Sequence, residues 1–145
     1  MGPGVDLELL SRRYRVTGSD TSEVFLSRYG AEHPDADLLK LDAVTLDTDR
    51  KFQCIYSNKV LHHLTRDELL RSLVRQAEVL TPGGIALHTF WHGEKEETHH
   101  GLRFVYYMVS ELEAMIPADF HILETSLYEE MEENDSIRLV IKRRR

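Results

Sequence analysis

Apolar and polar positions alternate at helical and strand-like spacing along the first third of the chain. Leu7, Leu10 and Tyr14 recur at helical spacing after Gly4, so one face of a short helix is expected there. Gly30 and later Pro34 interrupt the pattern. The pattern predicts a helix over 5–13, a β-type stretch over 15–19, a helix over 21–29 and a short strand over 38–41.

The middle of the chain carries the strongest periodicity. A continuous, mostly apolar run over 52–57 predicts a strand buried on both faces, as in a parallel sheet. Thr65 and Glu68 have the spacing of a capping box, which marks a helix start. The turn Thr81-Pro82-Gly83-Gly84 is expected to stop that helix sharply, before a strand over 85–91. The apolar face of the helix is predicted to comprise Leu69, Leu70, Leu73, Val74, Ala77 and Leu80.

The last third is expected to contain a polar loop, a helix and two strands. Residues 92–106 are rich in His and Glu and predict a loop or insertion. Ser110 and Glu113 suggest a second capping box, heading a helix that Pro117 ends. The β-rich segments 121–127 and 136–142, joined by an acidic turn, predict an antiparallel hairpin. These elements predict a single α/β domain over 1–145, with a three-layer, Rossmann-like and mainly parallel sheet.

Composition narrows the function classes. Hydrophobic residues make up 41% of the chain and charged residues 30%, the balance of a globular protein. The net charge of −7 argues against nucleic acid or an anionic membrane as partner, and the basic run 142–145 is interpreted as a solvated tail. Cys54 is the only cysteine, and neither a signal peptide nor a membrane-spanning run is evident. A cytoplasmic protein with a small-molecule partner is expected.

Four strings of the sequence carry a family resemblance when they are taken together and in order. They are VTGSD, LLKLDA, FQCIYSNKVLHHL and VLTPGG, all between residues 16 and 84. In this order they resemble the Rossmann-like class I S-adenosylmethionine-dependent methyltransferases, and most closely the small-molecule type 11 branch. The resemblance implies S-adenosylmethionine as cofactor and a small-molecule methyl acceptor.

The resemblance also implies roles for residues at the strand ends, where ligands sit in such sheets. Asp20 is expected to accept hydrogen bonds from the ribose hydroxyls, or alternatively to cap the next helix. Asp42 and Ala43 are expected to frame the adenine, unless Asp42 only stabilises a turn. Ser57 and Asn58 are expected near the methionine part of the cofactor. The cofactor-binding set implied in this way is Gly2, Gly4, Asp20, Thr21, Asp42, Ala43, Ser57 and Asn58.

Histidines and one lysine raise further questions about the chemistry. His62 and His63 are weak candidates for a catalytic base, and the alternative is that one of them packs or bonds locally. Lys59 departs from the family pattern, because a long cation beside a sulfonium would repel it unless it pointed to solvent. No metal site is expected, because the spacing of the His and Glu residues after Trp91 matches no tetrahedral signature. An acceptor-side lid with Arg103, Tyr106 and Tyr107 is the preferred role for that loop.

The first strand and first glycine of the family's cofactor motif have no counterpart in this sequence. Gly2-Pro3-Gly4 matches only the last half of the glycine loop. Three compensations are conceivable: the strands at 15–19 and 52–57 pair directly, a second chain covers the open edges, or the N-terminal elements are displaced. The exposed edges favour a homodimer over a monomer. The leading function is methyl transfer, and the alternative is a catalytically inactive methyltransferase-like binding or interaction module.

Overall fold

The computed structural model describes residues 1–145 and divides into two compact units. The N-terminal unit is Met1–Asp47 and the C-terminal unit is Thr48–Arg145. We describe each unit by itself. The elements in chain order are α1 (Val5–Ser11), β1 (Thr17–Asp20), α2 (Glu23–Glu32), β2 (Asp37–Lys40), β3 (Phe52–Asn58), a 3-10 turn (Leu61–His63), α3 (Arg66–Val79), β4 (Leu80–Trp91), β5 (Glu96–His99), β6 (Leu102–Val105), α4 (Val109–Ala114), β7 (Phe120–Tyr128) and β8 (Ser136–Arg143).

The N-terminal unit is a two-stranded parallel sheet with two short helices. Strand β1 pairs with β2 in a register that places Asp20 opposite Lys40. Helix α2 begins at Ser22, whose hydroxyl accepts a hydrogen bond from the Phe25 N–H, so Ser22 rather than Asp20 is the side-chain cap. The small core of this unit comprises Leu7, Tyr29 and Val44.

The C-terminal unit is built on a four-stranded sheet in the order β3-β4-β8-β7. Strands β3 and β4 are parallel, whereas β4–β8 and β8–β7 are antiparallel. The antiparallel C-terminal pair is as expected. The sheet is not mainly parallel, because only two of the five strand pairs of the chain run parallel.

Strand β3 differs from its prediction, because none of its residues is fully buried and each is half-buried or exposed. It pairs only with β4 and is therefore an edge strand of its sheet. Strand β1 likewise pairs only with β2. Apolar composition alone did not reveal that β3 lies at an edge, because edge and central strands can share the same residues.

Helix α3 forms as predicted and packs on β4. Both bonds of its capping box are present, at 3.1 Å from the Glu68 N–H to the Thr65 hydroxyl and at 2.9 Å from the Thr65 N–H to the Glu68 carboxylate. Leu70 and Val74 were wrongly assigned to the buried face, since they are 43% and 44% exposed. Polar residues, Ser72 and Gln76, are buried instead.

The turn Thr81-Pro82-Gly83-Gly84 lies inside β4 rather than before it. Phe52 faces Leu80 whereas Cys54 faces Ile85, so these residues form a bulge in the strand pair. Gly83 has φ of 80°, a left-handed conformation that a side chain disfavours. At Gly84 an added Cβ would lie 2.9 Å from the Thr81 carbonyl oxygen, so the close packing of two backbones requires glycine.

Three predictions for the last third are corrected. Residues 92–106 are not a loop, because β5 and β6 form an antiparallel hairpin across them. Helix α4 begins at Met108 without a side-chain cap, and Glu113 instead accepts a hydrogen bond from Thr125. The basic run is not a free tail, because Lys142 and Arg143 belong to β8.

The core of the C-terminal unit lies between α3, the central strands and α4. It is formed by Leu61, Leu69, Leu73, Ala77, Val79, Leu80, Ala86, Phe90, Val105, Tyr107, Leu112, Phe120, Ile137, Leu139 and Ile141. None of the helices is long and apolar enough to cross a membrane.

Candidate functional site

Two carboxylates mark the carboxyl ends of the parallel strands in the N-terminal unit. Asp20 is the last residue of β1, and Asp42 follows β2 by two residues. Because β1 and β2 run parallel in register, both carboxyl ends lie at the same edge of this sheet. The Leu41 N–H donates to the Asp20 carbonyl at 3.0 Å and joins the two ends. This edge of the sheet therefore carries two acidic residues.

The Asp20 carboxylate is held by donors from two sides. Its Oδ1 accepts from the Ser22 N–H at 2.9 Å, and its Oδ2 accepts from the Gly2 N–H at 2.8 Å and from the Met1 amino group at 3.1 Å. Burial alone would raise the pKa of Asp20, but these donors lower it below its ordinary value. Asp20 is thus ionised at neutral pH and fixed in direction.

Asp42 is more open than Asp20. Its Oδ1 accepts from the Val44 N–H at 2.7 Å, and its carbonyl accepts from the Leu46 N–H at 2.9 Å. A side chain that bonds the backbone two residues onward is the turn geometry that aspartate favours. The side chain is exposed, and a carboxylate retains further acceptor positions after one such bond. Asp42 therefore both stabilises a turn and presents a carboxylate.

The other four predicted residues of this unit fall on the surrounding turns. Gly2 and Gly4 both have positive φ, at 55° and 92°. An added Cβ at Gly4 would lie 2.4 Å from the Tyr29 ring, so Gly4 allows α1 to begin against α2. Thr21 is exposed in the turn after β1, and Ala43 is half-buried in the turn after β2.

At the end of β3, Ser57 belongs to a chain of buried polar side chains. Its hydroxyl lies 2.6 Å from Nδ1 of His88, the residue opposite it on β4. His88 Nε2 lies 2.7 Å from Oε1 of Gln76, whose Nε2 donates to the Ser72 hydroxyl at 3.2 Å. Burial lowers the pKa of His88 to about 4. His88 is therefore a neutral imidazole that links α3 to the end of β3.

Asn58 and Lys59 are held by the next residue of β4. The Thr89 hydroxyl donates to the Asn58 amide oxygen at 2.5 Å and accepts from the Lys59 N–H at 2.9 Å. These bonds fix a sharp change of direction, since Lys59 has a φ of 53°. A non-glycine residue in this conformation is held there by its surroundings.

The Lys59 side chain does not point to solvent, and its positive charge is paired with a carboxylate. Only 11% of the side chain is exposed. The ammonium lies 3.4 Å from the centroid of the Trp91 ring, donates to the Ser136 hydroxyl at 2.8 Å and pairs with Glu130. A cation on an aromatic face with a carboxylate partner is well stabilised. The Lys59 ammonium is therefore held by contacts within its own unit.

His62 is buried among aromatic rings. It is 2% exposed, and neither ring nitrogen has a hydrogen-bond partner. The His62 ring stacks on Phe104 of β6 with centroids 5.2 Å apart, and the His63 ring lies 4.0 Å away. Burial, followed by the neighbouring His63 and Lys59, lowers the pKa of His62 to about 4. His62 is thus neutral at physiological pH and a weak base.

His63 and the three proposed lid residues are engaged locally. The His63 Nδ1 donates to the Arg103 carbonyl at 2.8 Å and ties the 3-10 turn to the hairpin. Within the hairpin, Arg103 pairs with Glu96 at 3.1 Å. Tyr106 is half-buried, whereas Tyr107 is fully buried, and burial raises the pKa of Tyr107 to about 12. No group of three or more His, Cys, Asp or Glu side chains is arranged to hold a metal ion.

Sequence reasoning missed the residues that hold the end of β3. His88 and Thr89 lie in an apolar strand and Gln76 lies on an apolar helix face. The available signal was a polar residue at a position whose neighbours in the pattern are core residues, because buried polar groups require partners. Which partner each one finds depends on the register of β3 and β4.

The comparisons with known proteins agree with this architecture. The sequence profile of the family described as "Methyltransferase domain" matches residues 1–84. Among solved structures, an S-adenosylmethionine-dependent methyltransferase from Clostridium acetobutylicum is 14% identical with a TM-score of 0.80, covering 99% of this chain and 81% of its own. At this level of sequence identity, the structural similarity shows a shared fold and no more.

Two further structures have acceptors named with them. The Burkholderia thailandensis 1,6-didemethyltoxoflavin-N1-methyltransferase is 18% identical with a TM-score of 0.82, covering 99% of this chain and 68% of its own. CalS10 of Micromonospora echinaspora, an amino pentose methyltransferase, is 16% identical with a TM-score of 0.76, covering 98% of this chain and 80% of its own. Since the family profile matches more than half of the residues, this chain belongs to the class I S-adenosylmethionine-dependent methyltransferase domains.

Proposed function

We propose that this chain transfers a methyl group from S-adenosylmethionine to a small-molecule acceptor. The observation that carries the proposal is the pair of carboxylates, Asp20 and Asp42, at one edge of the parallel β1–β2 sheet. The carboxyl ends of parallel strands are where nucleotide-like ligands bind in sheets of this kind. Family membership supports the same assignment.

The residues at this edge fit a nucleoside. Asp20 is ionised and held in one orientation, and its Oδ1, which accepts one hydrogen bond, retains acceptor capacity for a ribose hydroxyl. Asp42 is exposed and offers a second carboxylate for the adenine edge, next to Ala43. Thr21, Gly2 and Gly4 form the turns around Asp20. In the C-terminal unit, Ser57 and Asn58 at the end of β3 are also proposed as cofactor-binding residues.

The bound cofactor supplies a methyl group already activated on a sulfonium, so this chain needs mainly to align the acceptor and exclude water. The hydrogen bonds of Ser57 and Asn58 to His88 and Thr89 keep the end of β3 rigid. The aromatic rings around His62 provide a water-poor surface beside it in the same unit. We propose that His62 lines the acceptor side without acting as a strong base, because its pKa is about 4.

One observation favours a second candidate, a methyltransferase-like module that binds without catalysing. The Asp20 Oδ2 is already occupied by the Gly2 N–H and the Met1 amino group. Ribose binding at this oxygen has to compete with these contacts. A module of this kind would recognise a protein or a second copy of the chain through its open strand edges.

Calorimetry with S-adenosylmethionine and S-adenosylhomocysteine tests the proposal. We expect saturable binding by the wild type and a loss of about 1.5–3 kcal/mol for Asp20→Asn and for Asp42→Asn, because each removes a charged hydrogen-bond acceptor. Asp35→Asn, at an exposed aspartate of the same unit, is the matched control and should bind like the wild type. No heat and no thermal shift at millimolar ligand would leave the binding module as the better description.

Two further expectations are proposed together with this function. The open edge of β3 supports a homodimer, since an unpaired strand edge is a surface for a second chain. We also propose that residues 1–145 act as one methyltransferase-like domain. Light scattering at micromolar concentration should give the dimer mass, and thermal unfolding should be a single cooperative transition. A monomer mass contradicts the first expectation, and two separate transitions contradict the second.

A further inference from the structure

The direction of the hydrogen bonds from α3 to Ser57 can be followed atom by atom. Gln76 directs its amide nitrogen to the Ser72 hydroxyl at 3.2 Å, so its amide oxygen faces His88 Nε2 at 2.7 Å. An amide oxygen can only accept, so His88 carries its proton on Nε2. Nδ1 is then an acceptor, and the hydroxyl 2.6 Å away donates to it.

In this arrangement the Ser57 hydroxyl uses its only proton in the hydrogen bond to His88 Nδ1. A serine hydroxyl has one O–H to donate and two lone pairs to accept with. With its O–H donated to His88 Nδ1, the Ser57 oxygen can offer only lone pairs to a ligand at the carboxyl end of β3. His88 and Gln76 are 1% exposed, so solvent does not scramble the arrangement. Ser57 itself is half-buried and lies at the end of its strand.

We propose that Ser72, Gln76 and His88 are positioning residues that make Ser57 an obligate hydrogen-bond acceptor, and that the methyl acceptor of this enzyme is an amine that donates an N–H to Ser57. The second half of the inference rests on the proposed function, whereas the first half concerns the protein alone. The relay residues act through Ser57 and do not touch the substrate themselves.

An amine fits this environment better than an alcohol for a chemical reason. A neutral amine already carries the lone pair that attacks a methyl group, and an N–H bond to Ser57 leaves that lone pair free to point elsewhere. The new C–N bond takes the methyl group, the pair of the broken C–S bond stays on sulfur, and the methylated ammonium then loses a proton to water. A hydroxyl nucleophile has to lose its proton in the reaction. Such a proton could pass from Ser57 only to His88 Nδ1, and burial lowers the pKa of His88 to about 4, so this imidazole is a poor base.

The relay is tested first in the protein without ligand. Nitrogen-15 NMR of the His88 ring at pH 7 should show a protonated Nε2 and an unprotonated Nδ1 that accepts a hydrogen bond. A flipped Gln76 amide would instead donate to Nε2 and place the ring proton on Nδ1. That tautomer, or an imidazolium, overturns the proposal. This reading requires no cofactor, so it is independent of whether the chain binds S-adenosylmethionine.

The substrate class is tested by methyl transfer from labelled S-adenosylmethionine to amines paired with alcohols of the same carbon skeleton, such as benzylamine with benzyl alcohol and glucosamine with glucose. Methylated products are expected only from amine members. Products from the alcohols, or no product from any amine by a wild type that binds S-adenosylhomocysteine, overturn the assignment. Failure to bind S-adenosylhomocysteine at all is instead a failure of the proposed function.

Variants separate positioning from folding. Gln76→Leu should raise KM for the amine about tenfold while the affinity for S-adenosylhomocysteine changes less than threefold. Gln76→Glu, which retains an acceptor toward His88, should raise KM less than Gln76→Leu. Ser110→Ala, at an exposed serine of the same unit, is the matched control and should behave as the wild type. Equal KM values for Gln76→Leu and wild type would contradict a positioning role, even if the variant is less stable.

Discussion

The end of β1 and the end of β3 both carry candidate ligand-binding side chains, but different kinds of contact hold them. Asp20 is bonded by the N–H of Ser22, two residues onward, and by the N–H of Gly2, 18 residues earlier in the chain. Ser57 is bonded by His88, 31 residues away, within a buried chain that reaches α3. The first end uses backbone donors, whereas the second uses side chains that meet only through the strand register.

The difference shows how each end should respond to change. Backbone donors survive most substitutions, so the Asp20 end should tolerate changes around it. Buried side-chain networks are costly when one partner is lost, because the remaining groups are left without hydrogen bonds. The end of β3 is therefore expected to be the more rigid and the more sensitive of the two.

The largest expected effect is at His88. Replacement by alanine removes a fully packed ring and takes the His88 hydrogen bonds from the Gln76 amide oxygen and the Ser57 hydroxyl, so the free energy of unfolding should fall by about 3 kcal/mol. The matched change in the N-terminal unit is His33→Ala, at a half-buried ring stacked on Tyr29, which should cost less than about 1 kcal/mol. Urea unfolding followed by far-ultraviolet circular dichroism measures both. Equal losses would contradict the contrast.

Two glycines should respond with opposite sign. Gly84→Ala places a Cβ 2.9 Å from the Thr81 carbonyl and 3.0 Å from that of Gln53, so a loss of about 2 kcal/mol is expected. Gly30 lies inside α2, and its Cβ would meet Leu38 at 3.5 Å, an ordinary contact. Gly30→Ala should therefore raise the unfolding free energy by about 0.5–1 kcal/mol. Destabilisation by both variants in thermal and urea unfolding would show that α2 cannot accommodate a methyl group at position 30.

Acid should weaken the two units in different pH ranges. His88 has a pKa of about 4 when folded and about 6.5 when unfolded, so the unfolded chain binds the proton first as pH falls. The contribution of neutral His88 to the free energy of unfolding is present above pH 6.5 and is lost as pH falls toward 4. We expect the free energy of unfolding to fall by about 1 kcal/mol between pH 7 and pH 5.5. Asp20 has a pKa below its ordinary value of 3.8, so its protonation lowers the free energy of unfolding only in that more acidic range.

Urea unfolding at pH 7, 6.2 and 5.5 measures the slope of the unfolding free energy against pH. Fluorescence of Trp91, the single tryptophan, is the signal. His88→Gln should flatten this slope, because glutamine keeps a hydrogen-bonding group but cannot titrate. His62 has a similarly lowered pKa and contributes in the same direction, so His62→Phe is expected to remove a further part. A slope unchanged in both variants would assign the acid sensitivity to other groups.

The smallest expected effect is at the helix caps. Thr65→Ala breaks a reciprocal capping box and should cost about 1 kcal/mol. Ser22→Ala removes a single bond of 3.3 Å to the Phe25 N–H and should cost about 0.5 kcal/mol. Amide hydrogen exchange in the first turns of α3 and α2 locates each loss. A larger cost at Ser22 than at Thr65 would reverse the expected ranking of the two units.

By itself, the sequence determined the features that depend on neighbouring residues. Helical spacing with a capping box located α3, turn residues located the ends of β1 and β2, and two β-rich segments around an acidic turn located the β7–β8 hairpin. Four ordered strings were enough to indicate the methyltransferase family. Each of these signals acts over a few residues, so it can be recognised without knowing the fold.

Only the tertiary structure decided which distant side chains meet. Strand β3 was expected to be buried on both faces and is an edge strand, the segment 92–106 was expected to be a loop and is a hairpin, and Lys59 is committed to Trp91 and Glu130. The partners of Ser57 and Asn58 are His88 and Thr89 because the parallel register of β3 and β4 places them opposite each other. Side-chain pairing across strands follows register, and register depends on packing of the whole sheet rather than on local sequence.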